Sequence, residues 1–115
     1  MKIHIVVLAL LALPSAAWCA DWKALSGTYA ITPEHYLDPS TQEPNNSHLR
    51  FQLDGAAARD LYEALPGGAV TDDCTGLPMK RSGQIRCRVD RNDSSYACDF
   101  SIDLWNQEIG SGVAC

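Results

Sequence analysis

The chain has 115 residues, of which 46% are hydrophobic, and a formal net charge of −5 at pH 7. A chain of this length supports one domain with one modest hydrophobic core. Its acidity repels phosphate backbones and anionic lipid surfaces, which argues against nucleic acid as a partner and against binding to such membranes.

Residues 1–20 have the pattern of an export signal. Lys2 precedes an apolar run over residues 5–13, and small residues follow a proline. This pattern predicts a secretory signal peptide, and the run is too short to span a bilayer. We therefore predict a domain of residues 21–115 in the periplasm or outside the cell, without membrane insertion. The cleavage site stays open, as does lipidation of Cys19.

The first half of that domain alternates between strands and an irregular segment. Tyr29 and Ile31 indicate a short strand. Residues 33–47 contain three prolines and few apolar side chains, so we predict a long loop. Leu49, Phe51 and Leu53 then alternate with polar residues, which predicts a half-buried strand.

A helix is predicted next. Asp54 is a suitable N-cap, and residues 56–65 place one apolar face toward a sheet. Pro66 ends the helix. The following stretch, residues 67–83, is predicted to be irregular and contains Cys74.

The last third predicts a three-stranded meander, because apolar and polar residues alternate with a period of two. A turn between Asn92 and Asp93 sets Cys87 opposite Cys98. A turn between the next two strands, at residues 106–107, sets Leu104 opposite Ile109. The predicted fold class is α+β: an antiparallel sheet of about five strands, one helix packed on one face, and two disulfides.

The same register sets Arg86 opposite Asp99 on the outer face, as a solvated pair. The basic residues of this region form a predicted basic strip, which is expected to keep that face soluble and alternatively to dock an acidic partner: Lys80, Arg81, Arg86, Arg88 and Arg91.

Four cysteines follow residue 20, and their wide spacings favour disulfides over zinc. Cys87 and Cys115 are predicted two strands apart, which is beyond the reach of a disulfide. Two pairings remain: Cys74–Cys87 with Cys98–Cys115, or Cys87–Cys98 with Cys74–Cys115. We favour the first, because it ties down the loop before the meander and the C-terminal residues.

No residue pattern predicts catalysis, a cofactor or a metal site. His35, Tyr36 and Asp38 in the long loop are candidate binding residues, and Trp105 beside a turn is a second candidate anchor. Trp105 is expected to pack over a sheet edge or to stay exposed for binding. His48 is expected to be exposed on its strand.

The C-terminal half resembles small uncharacterised periplasmic proteins of Gram-negative bacteria. The resemblance runs from Cys87 through Tyr96-Ala97-Cys98-Asp99-Phe100 to Cys115, and includes Arg59-Asp60-Leu61-Tyr62 and Lys80-Arg81-Ser82-Gly83. It carries over no functional residue. Periplasmic lysozyme inhibitors are similar in size, export and disulfide use, but their inhibitory motif is not matched here.

The sequence therefore predicts a non-catalytic exported binding protein, of the kind that includes periplasmic inhibitors and immunity-type proteins. The alternative is an envelope accessory protein that binds glycan or another envelope component. The partner is an unidentified protein or glycan of the cell envelope.

Overall fold

The computed structural model describes residues 20–113. Apart from Ala20, the predicted signal peptide lies outside these residues, as do Cys19 and Cys115. The described chain forms β1 Gly27–Thr32, β2 His48–Asp54, α1 Gly55–Ala64, β3 Val70–Thr71, β4 Pro78–Ser82, β5 Ile85–Asp90, β6 Ser95–Asp103 and β7 Glu108–Gly110. The α+β class and the antiparallel sheet with one helix are confirmed, but the sheet has seven strands where about five were predicted.

Strand β6 is the centre of the sheet, whose order is β1-β2-β6-β5-β4-β3. β2 pairs with one edge of β6, whereas β5 and β7 share the other edge. The predicted register between β5 and β6 is confirmed, since Cys87 is opposite Cys98 and Val89 is opposite Tyr96. A one-residue slip would have moved every apolar side chain to the wrong face.

The register of β7 differs from the prediction by two residues. Ile109 is opposite Ile102, where Leu104 was expected. The reason is Asp103, whose Oδ1 accepts hydrogen bonds from two backbone N–H groups of residues 104–107. These bonds build a four-residue loop in place of a two-residue turn. Because the shift is even, Ile109 remains on the predicted face of the sheet.

The segment predicted to be irregular, residues 67–83, contains β3 and β4. Met79 and Lys80 are neighbours in β4 and therefore point to opposite faces. Met79 is buried. Lys80 reaches the helix, where its Nζ donates hydrogen bonds to the carbonyl oxygens of Tyr62 and Leu65 at 3.2 and 3.1 Å. This strand was not predicted because its apolar residue lies on the polar face and its lysine on the helix face. The usual alternation of a half-buried strand is therefore reversed here.

The helix α1 covers one half of one sheet face. It follows β2 directly, and Gly55 makes the turn with a φ of 53°, a conformation that favours glycine. Asp54 occupies the predicted N-cap position with extended backbone, but its side chain makes no capping hydrogen bond. The core between helix and sheet consists of Leu53, Ala58, Leu65, Cys87 and Cys98.

The disulfide pairing favoured from the sequence is wrong. Cys87 and Cys98 are bonded to each other, with Cα atoms 4.0 Å apart. Their register gives the reason, because directly opposite residues of antiparallel strands lie within disulfide reach. This bond belongs to the second pairing. Cys74 is also disulfide-bonded, and Cys115, its partner in the second pairing, lies outside the described residues.

The face away from α1, here called the polar face, is covered around Asp99 and not solvated there. Arg86 is opposite Asp99 as predicted, but Asp99 is only 1% exposed. Arg86 Nη2 donates to Asp99 Oδ1 at 2.9 Å and to the carbonyl oxygen of Val113 at 2.7 Å. Arg88 Nη2 lies 3.1 Å from Asp99 Oδ2, an ion pair without hydrogen-bond geometry. The predicted solvated pair is therefore a buried ion cluster.

The predicted basic strip is not one surface. Arg86 and Arg88 belong to the buried cluster, and Lys80 faces the helix. Only Arg81 and Arg91 are exposed. A docking surface for an acidic partner would need these charges together, so the fold argues against that role.

Candidate functional site

The long loop of residues 33–47, here called the proline-rich loop, closes one side of a cleft on the polar face. The cleft has a volume of about 560 Å³. Its other walls are strands β2 and β6 and the final segment, residues 110–113. The lining residues are Glu34, His35, Tyr36, Leu37, Asp38, His48, Arg50, Ser101, Gly110, Ser111 and Val113. The predicted binding residues His35, Tyr36 and Asp38 are thus brought together at one site.

Arg50 of β2 holds the cleft together. Its Nε donates to Thr32 Oγ1 at 2.8 Å, and its Nη2 donates to the carbonyl oxygen of Glu34 at 2.6 Å. Its Nη1 donates to the carbonyl oxygen of Ser111 at 2.8 Å. The guanidinium also lies 4.3 Å from the centre of the Tyr36 ring, a cation–π contact. Arg50 therefore ties the proline-rich loop and the final segment to the sheet, and its N–H groups already have acceptors.

A second contact braces the proline-rich loop from within. The backbone N–H of His35 donates to Glu43 Oε1 at 3.1 Å, and His35 Nδ1 lies 2.9 Å from Glu43 Oε2. The hydrogen bond to Glu43, followed by the carboxylate charge, raises the pKa of His35. The same bond lowers the pKa of Glu43. His35 and Glu43, eight positions apart, are thereby held together on either side of residues 37–42.

Residues 37–42 form the tip of the loop, and all six are exposed. Leu37 is 70% exposed although it is apolar. The backbone turns twice within the tip, with the N–H of Asp38 donating to the carbonyl oxygen of His35 and that of Glu43 donating to that of Ser40. The loop is therefore a protrusion whose backbone is fixed by two turns and whose base is braced by the contact between His35 and Glu43.

His48 forms part of the cleft floor, and the prediction that it is exposed is wrong. It is 8% exposed. Its Nδ1 lies 2.7 Å from Ser47 Oγ, and its Nε2 lies 3.8 Å from Asp103 Oδ2. The proline-rich loop ends immediately before His48, and the loop covers this end of β2.

Trp105 lies apart from the cleft, in the loop between β6 and β7. Its side chain is 64% exposed, so it does not pack over an edge. The backbone N–H groups of Trp105 and Asn106 both donate to Asp103 Oδ1 at 3.0 Å. The Asn106 N–H and side-chain amide lower the pKa of Asp103. This carboxylate therefore fixes the loop that displays the Trp105 ring.

The histidine side chains that line the cleft have specific partners. His35 pairs with Glu43, not with the nearby Glu34 or Asp38. Across residues 20–113, no three His, Cys, Asp or Glu side chains gather as a metal-binding group. The floor pair of Ser47 and His48 is buried, with Ser47 Oγ against His48 Nδ1.

Sequence reasoning missed the residues that shape the site, Arg50, Glu43 and the final segment. In the sequence, Arg50 is an ordinary polar residue of an alternating strand. Its sequence neighbours do not indicate that it donates hydrogen bonds to residues 16 and 61 positions away. The one available signal is the density of prolines around Glu43, which favours an ordered loop.

Comparisons with family models, with curated proteins and with solved structures find no match to this chain. No helix within the described part of the chain is long and apolar enough to cross a membrane.

Proposed function

We propose that this chain is a non-catalytic exported binding protein that acts through the proline-rich loop. The loop docks into the cleft of a cell-envelope protein, in the manner of an inhibitor or an immunity-type protein acting on a cell-wall enzyme. The observation that carries this proposal is the braced protrusion: an exposed tip whose base is tied to the sheet by Arg50 and bracketed by the pair of His35 and Glu43.

Preorganisation is the physical reason. A flexible loop loses conformational entropy when it binds, at a cost of roughly 0.5–1.5 kcal/mol for each immobilised side chain. A loop that is already fixed avoids much of this cost. The exposed Leu37 supplies an apolar side chain at the tip among polar residues, and protein interfaces have a core that is more apolar than its polar rim.

The test is capture of partners from cell-envelope and secreted extracts on the immobilised protein, with Leu37→Asp as the loop variant. Val70→Asp is the matched control, because Val70 is also exposed and lies at the far edge of the sheet. We expect one envelope protein to be retained by the wild type and by the control, and to be lost from the loop variant. Retention that is indifferent to Leu37→Asp, or no retention from either extract, overturns the proposal.

A second candidate function is glycan binding in the cleft. The Tyr36 ring and the surrounding polar groups favour it, because sugar rings bind on aromatic faces beside hydrogen-bonding side chains. Nuclear magnetic resonance with soluble cell-wall fragments tests this function. Shifts confined to the ring signals of Tyr36, His35 and His48 would support it, and unchanged spectra at millimolar sugar would exclude it.

A further inference from the structure

One half of the sheet face that carries α1 is only partly covered. Two apolar rows cross the strands there. The first row is Tyr29, Phe51 and Phe100, and the second is Ile31, Leu49, Ile102 and Ile109. Phe51 and Phe100 stack with ring centres 4.9 Å apart, and both rings pack against the core. Its outer residues are well exposed, with Tyr29 at 73%.

The exposed rows end at β1, which is an edge strand. In the described part of the chain, no strand pairs with the outer edge of β1. The segment before it turns toward the helix, where Lys23 Nζ donates to Asp60 Oδ2. The segment after it turns to the polar face, where Pro33 and Glu34 contact Arg50. Both flanking segments therefore leave the edge.

Edge strands normally carry features that prevent pairing with other chains, such as charges, prolines or very short length. The opposite edge of this sheet follows that rule, because β3 has only two residues. β1 does not follow it. Its sequence, Gly-Thr-Tyr-Ala-Ile-Thr, has six residues with neither charge nor proline and is rich in residues that favour strands.

We propose that a second copy of this chain binds along β1, antiparallel, so that one sheet continues through both copies. The distribution of charge allows a second copy to bind along this edge. The chain is acidic overall, yet β1 and the two apolar rows contain no ionisable side chain except the Tyr29 phenol. Two copies can therefore meet here without like-charge repulsion.

The β1 sequence is also complementary to itself. With Ala30 opposite Ala30 of the second copy, Tyr29 lies opposite Ile31 and Thr28 lies opposite Thr32. The first is an aromatic–β-branched pair and the second a threonine pair, both of which stabilise antiparallel strands. A twofold axis through Ala30 makes each pair occur twice. The contact is smaller than an obligate interface, so we expect a dimer that dissociates on dilution.

The first experiment is sedimentation equilibrium of the processed protein from about 10 μM to 1 mM. We expect a concentration-dependent dimer. A monomer throughout this range overturns the proposal, and would leave the edge to a strand of a different protein. This outcome does not affect the function proposed for the loop, which is tested separately.

The second experiment uses charge reversal at the twofold axis. Ala30→Lys places two lysines opposite each other, so its dimer dissociation constant should rise about fivefold or more, and Ala30→Glu should behave alike. An equimolar mixture of the two variants should recover dimers, because each pair is then of opposite charge. Thr28→Lys is the matched control, since its copies are not opposite each other in this register. Dimers that are unaffected by Ala30→Lys, or a mixture that stays monomeric, would contradict the register.

Discussion

Glu43 contacts both the backbone and the ring of His35: one carboxylate oxygen accepts the His35 N–H at 3.1 Å, and the other lies 2.9 Å from Nδ1. This single side chain joins the two ends of the exposed loop tip. Because both groups titrate, the rigidity of the loop depends on pH.

The expected pH window follows from the two pKa shifts. The pKa of His35 is raised above 6.5, so the stabilisation from the charged pair is present at lower pH and is lost as pH rises through the raised value. The pKa of Glu43 is lowered below 4.5, so the contact is lost as the pH falls through this lowered pKa. The loop should be most rigid between these two limits. Amide hydrogen exchange across residues 35–43, measured at several pH values, checks this.

Glu43→Gln should lower the pKa of His35 toward its ordinary value, because it removes the carboxylate that holds the charged imidazole. Glu34→Gln is the control, since the charge of Glu34 contributes less to the shift. Titration of the His35 ring signals by nuclear magnetic resonance measures both variants. Equal shifts in the two variants would contradict the assigned pair.

Asp99→Asn should be strongly destabilising. It leaves two half-buried arginines, Arg86 and Arg88, without their shared carboxylate, and breaking a buried pair costs about 3–5 kcal/mol. Asp73→Asn removes an exposed carboxylate and should change the free energy of unfolding by less than about 0.5 kcal/mol. Urea denaturation of both variants measures the difference. A similar stability of the two variants would show that the cluster is solvated.

Gly112→Ala should detach the final segment from the polar face. A Cβ at Gly112 would lie 2.4 Å from the backbone nitrogen of Phe100 and 2.8 Å from atoms of Asp99, so the segment must move. Overpacking of this kind costs about 1–3 kcal/mol. Gly68→Ala is the control, because nothing lies within 4 Å of a Cβ there. Thermal unfolding of the two variants should differ by several degrees, with Gly112→Ala the less stable.

Peptide mapping without reduction should find Cys87 linked to Cys98. By the second of the two pairings, it should also find Cys74 linked to Cys115. The bond between Cys87 and Cys98 closes a short loop of the unfolded chain, so its removal by a double alanine substitution should cost about 3 kcal/mol. A peptide joining Cys74 to Cys87 would contradict the structure.

The parts of the fold that were predictable are those fixed by neighbours in sequence. The hairpin from Cys87 to Cys98 follows from alternation and a short turn. The register of β7 does not, because the Asp103 side chain lengthens the next turn. Pattern alone cannot distinguish a two-residue turn from a four-residue loop of the same parity.

The cleft was less predictable for the same reason. Its three candidate loop residues could be named, but the walls depend on Arg50 bonding both the proline-rich loop and Ser111. The burial of His48 and of Asp99 likewise requires segments that are distant in sequence. Such contacts are set by tertiary packing, which no local pattern records.

The buried cluster around Asp99 and the more exposed pair of His35 and Glu43 should respond differently to ionic strength. Salt screens exposed charges over distances of about 8 Å at 0.15 M, but penetrates little into a dry site. Raising the salt concentration should therefore loosen the loop tip while the sheet keeps its stability. Salt can thus weaken the loop tip without weakening the sheet that carries it. A loss of partner binding in high salt would then report a change in the loop and not unfolding of the domain.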